Sequence, residues 1–213
     1  FRAPQAFDED MHIENVGGTV AMIERAKDLK EEKSQSFSVS ADMYHRFGAF
    51  QTNLLIEGFY TRLTDVFVLG KPYDRGDGIL VKTRSNGPGA KVMGLTLEGK
   101  VAYLSILQIQ AGLTLQRSRY DEPHKWHDDA PAEKKIFRTP DTYGYFTATC
   151  TPVKPLSIAL SGTYTGRMLV QRMDITAENA ELGEMPERKA EAIRTPRFFD
   201  LGVKLAYDFK LYK

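Results

Sequence analysis

The chain has 213 residues and balances 29 Lys and Arg against 28 Asp and Glu, for a formal net charge of +1. This near-neutral charge argues against a broad nucleic-acid-binding surface, and the single cysteine excludes an internal disulfide framework and a CxxC metal site. There is no apolar run of about 18 residues, so no transmembrane helix of ordinary length is expected.

Residues 1–33 lack strand-like alternation. They open with Phe1-Arg2-Ala3-Pro4, without an initiator Met or a signal peptide, and the far end of the chain stops inside an alternating segment, so we expect a fragment of a longer polypeptide. An acidic cluster at 8–10, a Gly-Gly breaker at 17–18 and only weak helical periodicity over 20–33 predict an irregular loop region.

From Ser34 onward the hydrophobic pattern has a period of two, which is typical of half-buried strands. It predicts about seven long strands, at 34–47, 50–69, 90–103, 105–119, 141–151, 156–170 and 197–211. A shorter alternating segment at 79–84 is broken by a bulge or kink at 85–89. For residues 141–151 the pattern does not decide which side of the strand is apolar. Either the set with Phe146 and Cys150 or the set with Tyr145 could lie on the apolar face.

The connections between these segments alternate in length. Those near 47–49, 101–104 and 152–155 are tight, whereas those at 70–78, 120–140 and 171–194 are long and charged. The strands also exceed the usual length of about 5–6 residues. Short turns at one end and long loops at the other are typical of an outer-membrane β-barrel, whose alternating strands give no hydropathy peak.

A soluble β-sandwich is the alternative, since the polar residues that alternate along each strand could equally well form its solvent-exposed faces. The membrane barrel is favoured by strand length, by an apolar face free of charges over 156–170 and 199–211, and by aromatic residues near the tight turns. Those aromatic residues are Phe47, Phe50, Tyr103, Tyr207, Phe209 and Tyr212. Seven strands do not close a single-chain bacterial barrel, which agrees with a fragment of a wide barrel of about 22 strands.

Three short motifs carry a resemblance to a known family. The FRAP box at 1–4, the segment AKDLKEEKS at 26–34 and the strand FSVS at 37–40 resemble the barrel of TonB-dependent outer-membrane receptors, where a FRAP box precedes an NPxL box. Ala26-Lys27 departs from the Asn-Pro of that second box. The resemblance covers most of the chain and implies an all-β, antiparallel transmembrane barrel segment in the bacterial outer membrane, with long extracellular loops and short periplasmic turns.

By this resemblance residues 1–213 are one fragment of the barrel domain, with an extracellular loop region at 1–33 and strands and loops at 34–213. The plug domain and the TonB box are expected N-terminal to Phe1. The chain has no GxSxG elbow, HExxH motif, P-loop or dinucleotide fingerprint, so we do not expect an enzyme.

The function that the resemblance implies is TonB-dependent uptake of a metal chelate, either haem or an iron-siderophore, captured by the loops at 5–33, 70–78, 120–140 and 171–194. Cobalamin or another nutrient is the alternative within the family, and a small β-barrel or β-sandwich binding or adhesion module is the alternative outside it.

Expected partners are the TonB complex, outer-membrane lipid, a surface lipoprotein and a small-molecule ligand, but no nucleic acid. No intrinsic cofactor is expected; haem or a ferric chelate would be cargo.

Four residues are candidates for ligand binding. His12 lies between the two boxes, where haem receptors of the family carry a functional histidine, so the resemblance makes it a candidate haem ligand. His124, Trp126 and His127 lie beside a carboxylate pair, and imidazole and carboxylate groups suit transition metals. Trp126 could stack on a flat ligand. For each of them, an ordinary polar extracellular loop is the alternative interpretation.

Overall fold

A computed structural model of the protein describes residues 21–76, 80–126, 130–176 and 187–209. Within these ranges the chain forms thirteen β-strands, and no helix there is long and apolar enough to cross a membrane. The strands are β1 Ala21–Arg25, β2 Lys33–Phe47, β3 Phe50–Thr64, β4 Phe67–Asp74, β5 Leu80–Asn86, β6 Ala90–Tyr103, β7 Leu107–His124, β8 Glu133–Lys135, β9 Thr142–Val153, β10 Leu156–Thr165, β11 Leu169–Thr176, β12 Glu187–Arg194 and β13 Phe198–Tyr207.

Seven long strands make one antiparallel wall, in the order β13-β10-β9-β7-β6-β3-β2, and β8 pairs with the far end of β7. Consecutive wall strands are joined alternately by tight turns and by long connections, as the sequence predicts. At one tight turn Phe47 pairs with Phe50 across Gly48 and Ala49, and Gly48 has a φ of +56°, a conformation that favours glycine. We call the two edges of the wall the tight-turn end and the long-loop end.

The two faces of the wall differ in polarity along their whole width, because paired residues point to the same side of a sheet. One register row reads Ala41, Ile56, Leu97, Leu113, Gly144, Tyr164 and Phe199. The next row reads Asp42, Leu55, Glu98, Gly112, Tyr145, Thr163 and Asp200. We refer to these sides as the apolar face and the polar face.

The apolar face is uncovered, since the wall is a single layer. Leu97 is 39% exposed and Leu113 is 41% exposed, well above the level of a core leucine. Buried apolar side chains of the described residues instead lie towards the long-loop end, among them Val81, Ala90 and Leu169. A β-sandwich would cover this face with a second sheet, and in the described residues no second sheet does so, which is evidence against the sandwich alternative.

The register of β9 against β7 shows which of its residues lie on the apolar face. Phe146 pairs with Ala111, and Cys150 pairs with Leu107, so both share the apolar face, whereas Tyr145 lies on the polar face. At the tight-turn end, the rings of Phe50 and Tyr103 are 4.7 Å apart, which agrees with the predicted aromatic belt there. Tyr212 lies outside the described residues.

The long connections differ from the predicted loops, because their flanks are paired strands. β4 and β5 form one hairpin and β11 and β12 another, while β7 continues to His124. The predicted strand at 50–69 is interrupted at Asp65, whose φ is +55°, so β3 and β4 are separate strands. The irregular loop predicted for residues 1–33 contains a strand in its described part, because β1 pairs in parallel with β5.

Candidate functional site

A hydrogen-bond network joins three strands on the polar face. The amide of Gln110 on β7 donates to Glu98 on β6 and to Tyr145 on β9, both at 2.7 Å. Lys100 lies on the same strand and face as Glu98, with its ammonium 3.8 Å from the carboxylate. The Glu98 carboxylate therefore has an amide donor and an ammonium group within reach on the polar face.

Shorter cross-strand contacts continue this lining. The hydroxyls of Thr96 and Thr114 are 3.0 Å apart, and on β2 Tyr44 donates to Asp42 at 2.9 Å. Asn53 on β3 also donates to Asp42. The polar face is therefore a hydrophilic surface held by its own side chains, as a wall around water requires.

Charges on the polar face are arranged by height along the wall. Asp42, Glu98 and Asp200 share one register row. Arg46 and Lys204 share another row, four residues nearer the tight-turn end. Alternation along each strand is enough to separate charged positions from apolar ones. It could not show that acidic and basic groups occupy different heights, because that depends on register.

His124 lies at the far end of β7, opposite Glu133 of β8. It is half-buried, and its ring centroid is 5.6 Å from that of Tyr120. Burial lowers the pKa of His124 below its ordinary value of 6.5. Its imidazole is therefore neutral at pH 7, which is the protonation state that binds a metal.

Trp126 follows two residues later and packs edge-on against Phe137, with ring centroids 6.3 Å apart. This contact ties the ring to the chain that leads from β8 to β9. His12 and His127 lie outside the described residues, so the site formed by the four candidates stays a prediction. Among the described residues there is no group of three or more metal-ligating side chains.

Hydrogen bonds between residues distant in sequence hold the long-loop end together, and the sequence did not indicate them. Asn86 at the end of β5 accepts from the backbone N–H of Lys30 at 2.8 Å and donates to the carbonyls of Lys30 and Asp65 at 3.0 and 2.8 Å. The carboxylate of Glu32 accepts from the backbone N–H of Phe67 at 3.0 Å. These partners are 21 to 56 positions apart, so no local motif could have indicated them.

A polar face backed by an uncovered apolar face, on long antiparallel strands with alternating turn lengths, defines an outer-membrane β-barrel wall. The family model described as "TonB dependent receptor-like, beta-barrel" matches residues 1–212. The chain therefore belongs to the TonB-dependent receptor family, whose members are outer-membrane transporters and not enzymes. No curated protein sequence shows a significant similarity to it.

Solved structures of such receptors share the fold at low sequence identity. The siderophore receptor PirA from Acinetobacter baumannii is 13% identical with a TM-score of 0.56, over 88% of this chain and 27% of PirA. The FrpB iron transporter from Neisseria meningitidis (F3-3 variant) is 14% identical with a TM-score of 0.52, over 89% and 26%. The copper transporter OprC is 13% identical with a TM-score of 0.54, over 86% and 24%.

The chain thus spans about a quarter of the length of the solved structures that it matches. The expected fold and location are confirmed: an antiparallel barrel segment of the bacterial outer membrane. In such a barrel the apolar face meets lipid, the polar face lines the lumen, and the tight turns are periplasmic.

Proposed function

We propose that the chain is part of the barrel of an active-transport receptor that takes up a metal chelate, either haem or an iron-siderophore, with energy relayed by TonB. The observation that carries this proposal is the polar lining of the wall, which leads from the long-loop end to the tight-turn end. Family membership supports it, as does similarity to the siderophore receptor PirA and the FrpB iron transporter.

In this proposal the long connections capture the ligand outside the cell and the lumen face lines its path. A plug domain and a TonB box, which the resemblance places N-terminal to Phe1, would gate that path and receive the TonB complex. A surface lipoprotein would hand over the ligand. The described lumen residues contribute a polar surface that carries both signs of charge, with Glu98 and Asp200 nearer the long-loop end than Lys204.

For haem as cargo, the proposed ligands are imidazoles at the extracellular side. His124 supports this assignment because burial keeps it neutral at pH 7 and because Tyr120 offers a neighbouring aromatic ring. His12 is proposed from the family resemblance alone. Trp126 and His127 are proposed as ligand contacts on the same connection.

The test is a spectral titration of the whole receptor with haemin, comparing wild type with His12→Ala and His124→Ala. His45→Ala is the matched control, because His45 lies at the tight-turn end with its ring 4.0 Å from Phe47. If haem is ligated as proposed, the Soret shift should report at least tenfold weaker haemin binding by His12→Ala, by His124→Ala or by both. The affinity of the His45→Ala control should equal that of the wild type. Coincident titration curves for the wild type, His12→Ala and His124→Ala would contradict haem as the cargo bound by these histidines.

A separate experiment tests transport itself. Cells that depend on this receptor should accumulate radioactive iron from a ferric siderophore or from haem only when TonB is present. Accumulation of cobalamin, with no accumulation of iron from either source, would contradict uptake of a metal chelate and support the cobalamin alternative. Equal accumulation with and without TonB would contradict active transport.

A further inference from the structure

Asn86 and Gly87 form an Asn-Gly pair at the end of β5, and no other asparagine in the sequence is followed by glycine. In such a pair the backbone nitrogen of the glycine can attack the side-chain carbonyl carbon of the asparagine, because glycine has no Cβ to hinder the approach. Asparagine is one of the thermolabile residues of proteins. Both residues are half-buried, so water reaches them once their contacts open.

Each member of the pair meets a separate requirement of the fold. The Asn86 amide donates to the carbonyls of Lys30 and Asp65 and accepts from the backbone N–H of Lys30, so it uses its nitrogen and its oxygen together. A Cβ atom at Gly87 would lie 2.5 Å from Cγ1 of Val68, so a larger residue would displace β4. The fold therefore keeps a chemically reactive sequence at this position.

The same contacts protect the pair from reaction. The backbone N–H of Gly87 donates to the carbonyl of Val66 at 2.7 Å, so the attacking nitrogen keeps its proton and points it at another oxygen. The Asn86 side chain is held by its own three hydrogen bonds. Because ring closure requires both groups to turn towards each other, both sets of hydrogen bonds must break first.

A short segment, residues 30–32, closes over the base of the β4–β5 hairpin. Asn86 binds the backbone of Lys30, and the Glu32 carboxylate accepts from the backbone N–H of Phe67 at 3.0 Å. Phe67 and Asn86 are register partners on β4 and β5. The segment therefore clamps two facing residues of the hairpin, and its separation from the hairpin is the step that frees the Asn86 side chain.

We propose that Asn86 is a deamidation site of the receptor, which reacts when residues 30–32 separate from the β4–β5 hairpin. The Gly87 nitrogen forms a bond to Cγ of Asn86, the bond from Cγ to Nδ2 breaks, and ammonia leaves with the proton of the Gly87 nitrogen. Water then opens the succinimide ring at either carbonyl carbon, which leaves aspartate or isoaspartate. Water is the only co-reactant.

The product cannot restore the clamp. An aspartate at position 86 has no side-chain N–H, so its carboxylate would face the carbonyl oxygens of Lys30 and Asp65, which lie 3.0 and 2.8 Å from Nδ2 of Asn86. These oxygens would lose their donor and repel the new charge. Deamidation thus converts a reversible opening of the long-loop end into a lasting one. It involves no transported ligand, so it stands or fails separately from the proposed function.

The experiment measures deamidation of the full receptor, folded in detergent at mildly alkaline pH, by mass spectrometry of its proteolytic peptides. A synthetic peptide of residues 82–91 gives the unprotected rate. We expect Asn86 to react at least about tenfold more slowly in the receptor than in the peptide, because it reacts only from the open state. Equal rates, or no detectable reaction of Asn86 in the receptor, would overturn the proposal.

Hydrogen exchange gives a second measurement on the wild type. The Gly87 N–H must leave the Val66 carbonyl both to exchange and to react. The ratio of the deamidation rates in receptor and peptide should therefore equal the open fraction of that N–H within about threefold. A receptor that deamidates at a rate unrelated to this open fraction would overturn the proposal.

Two variants test the clamp. Glu32→Ala removes the contact with Phe67 and leaves the Asn-Gly pair intact, whereas the matched control Glu122→Ala removes an exposed carboxylate on β7 at the same end of the wall. Both must keep the heat-resistant folded band of the wild type. We expect Glu32→Ala to deamidate at least about threefold faster than the wild type and the control to match it. Equal rates in the two variants would overturn the role of residues 30–32; if Glu32→Ala does not fold, the exchange measurement decides.

The effect of the product is tested with Asn86→Asp. Hydrogen exchange of residues 26–32 should be faster in this variant than in the wild type, because the clamp has lost its donors. Ser85→Asp is the matched control, since it adds the same charge one residue earlier, on the other side of β5. Unchanged exchange in Asn86→Asp, or the same increase in both variants, would overturn the proposed loosening.

Discussion

The guanidinium of Arg62 lies 2.9 Å from the carboxylate of Asp121, although β3 and β7 are not neighbours in the wall. The intervening strand β6 makes this possible. Its Lys91 shares the same carboxylate, and the carbonyl of Gly89, just before β6, accepts from the backbone N–H of Asp121 at 2.8 Å. A Cβ atom at Gly89 would lie 2.7 Å from the Asp121 carboxylate. One acidic residue therefore ties three strands together at the long-loop end.

This geometry predicts a measurable coupling between Arg62 and Asp121. A double-mutant cycle with Arg62→Gln and Asp121→Asn should give about 0.5–1 kcal/mol in the free energy of unfolding, because the pair is half-buried. Lys33 and Glu31 form the control pair, which is more exposed and should couple more weakly than Arg62 and Asp121. Equal coupling in the two cycles would contradict a role for Asp121 in joining the strands.

A second prediction concerns Gly112 on the lumen face. A Cβ atom there would lie 2.5 Å from Cε1 of Tyr145, so Gly112→Val must displace that ring and break its contact with Gln110. We expect a loss of about 1–3 kcal/mol in the free energy of unfolding. Gly99→Val is the control, because nothing lies within 4 Å of its Cβ position. Similar losses for both variants would show that Tyr145 does not restrict the site.

The pH dependence of the β7–β8 region follows from His124. Burial lowers its folded-state pKa below the ordinary 6.5, so the unfolded chain takes up a proton first as the pH falls through 6.5. Stability of this region should therefore decrease from pH 7 towards pH 5. Hydrogen exchange of residues 118–124 should show this loss in wild type and a smaller loss in His124→Gln. The same pH slope in both proteins would assign the effect to other groups.

The wall could be predicted from the sequence because each of its strands meets two different solvents. Leu97 and Glu98 differ in polarity for that reason, and the alternation they share with their neighbours was sufficient to assign both faces. β9 was the exception. Tyr145 carries a hydroxyl that bonds Gln110 in the lumen, yet its ring resembles that of Phe146, so composition alone did not distinguish the two faces.

The long-loop end could not be predicted in the same way. Strands such as β4 and β5 project beyond the apolar band, where a two-faced pattern is not required, and charged residues interrupted the period. The parallel pairing of β1 with β5 joins Ala21 to Leu80, and such a distant contact leaves no local signal. Asp65 adopts a positive φ between β3 and β4, which the continuous apolar pattern of residues 50–69 concealed.

The most direct test of the membrane-wall assignment compares two adjacent leucines on β3. Leu54 is 42% exposed on the apolar face, whereas Leu55 lies on the polar face between Asp42 and Glu98. In lipid vesicles, Leu54→Arg should lower the free energy of unfolding of the receptor by about 2–4 kcal/mol, because its charge enters the hydrocarbon. Leu55→Arg should change it by less than about 1 kcal/mol, since two carboxylates flank the new charge. Equal losses, or a larger loss at Leu55, would contradict the assignment of the two faces.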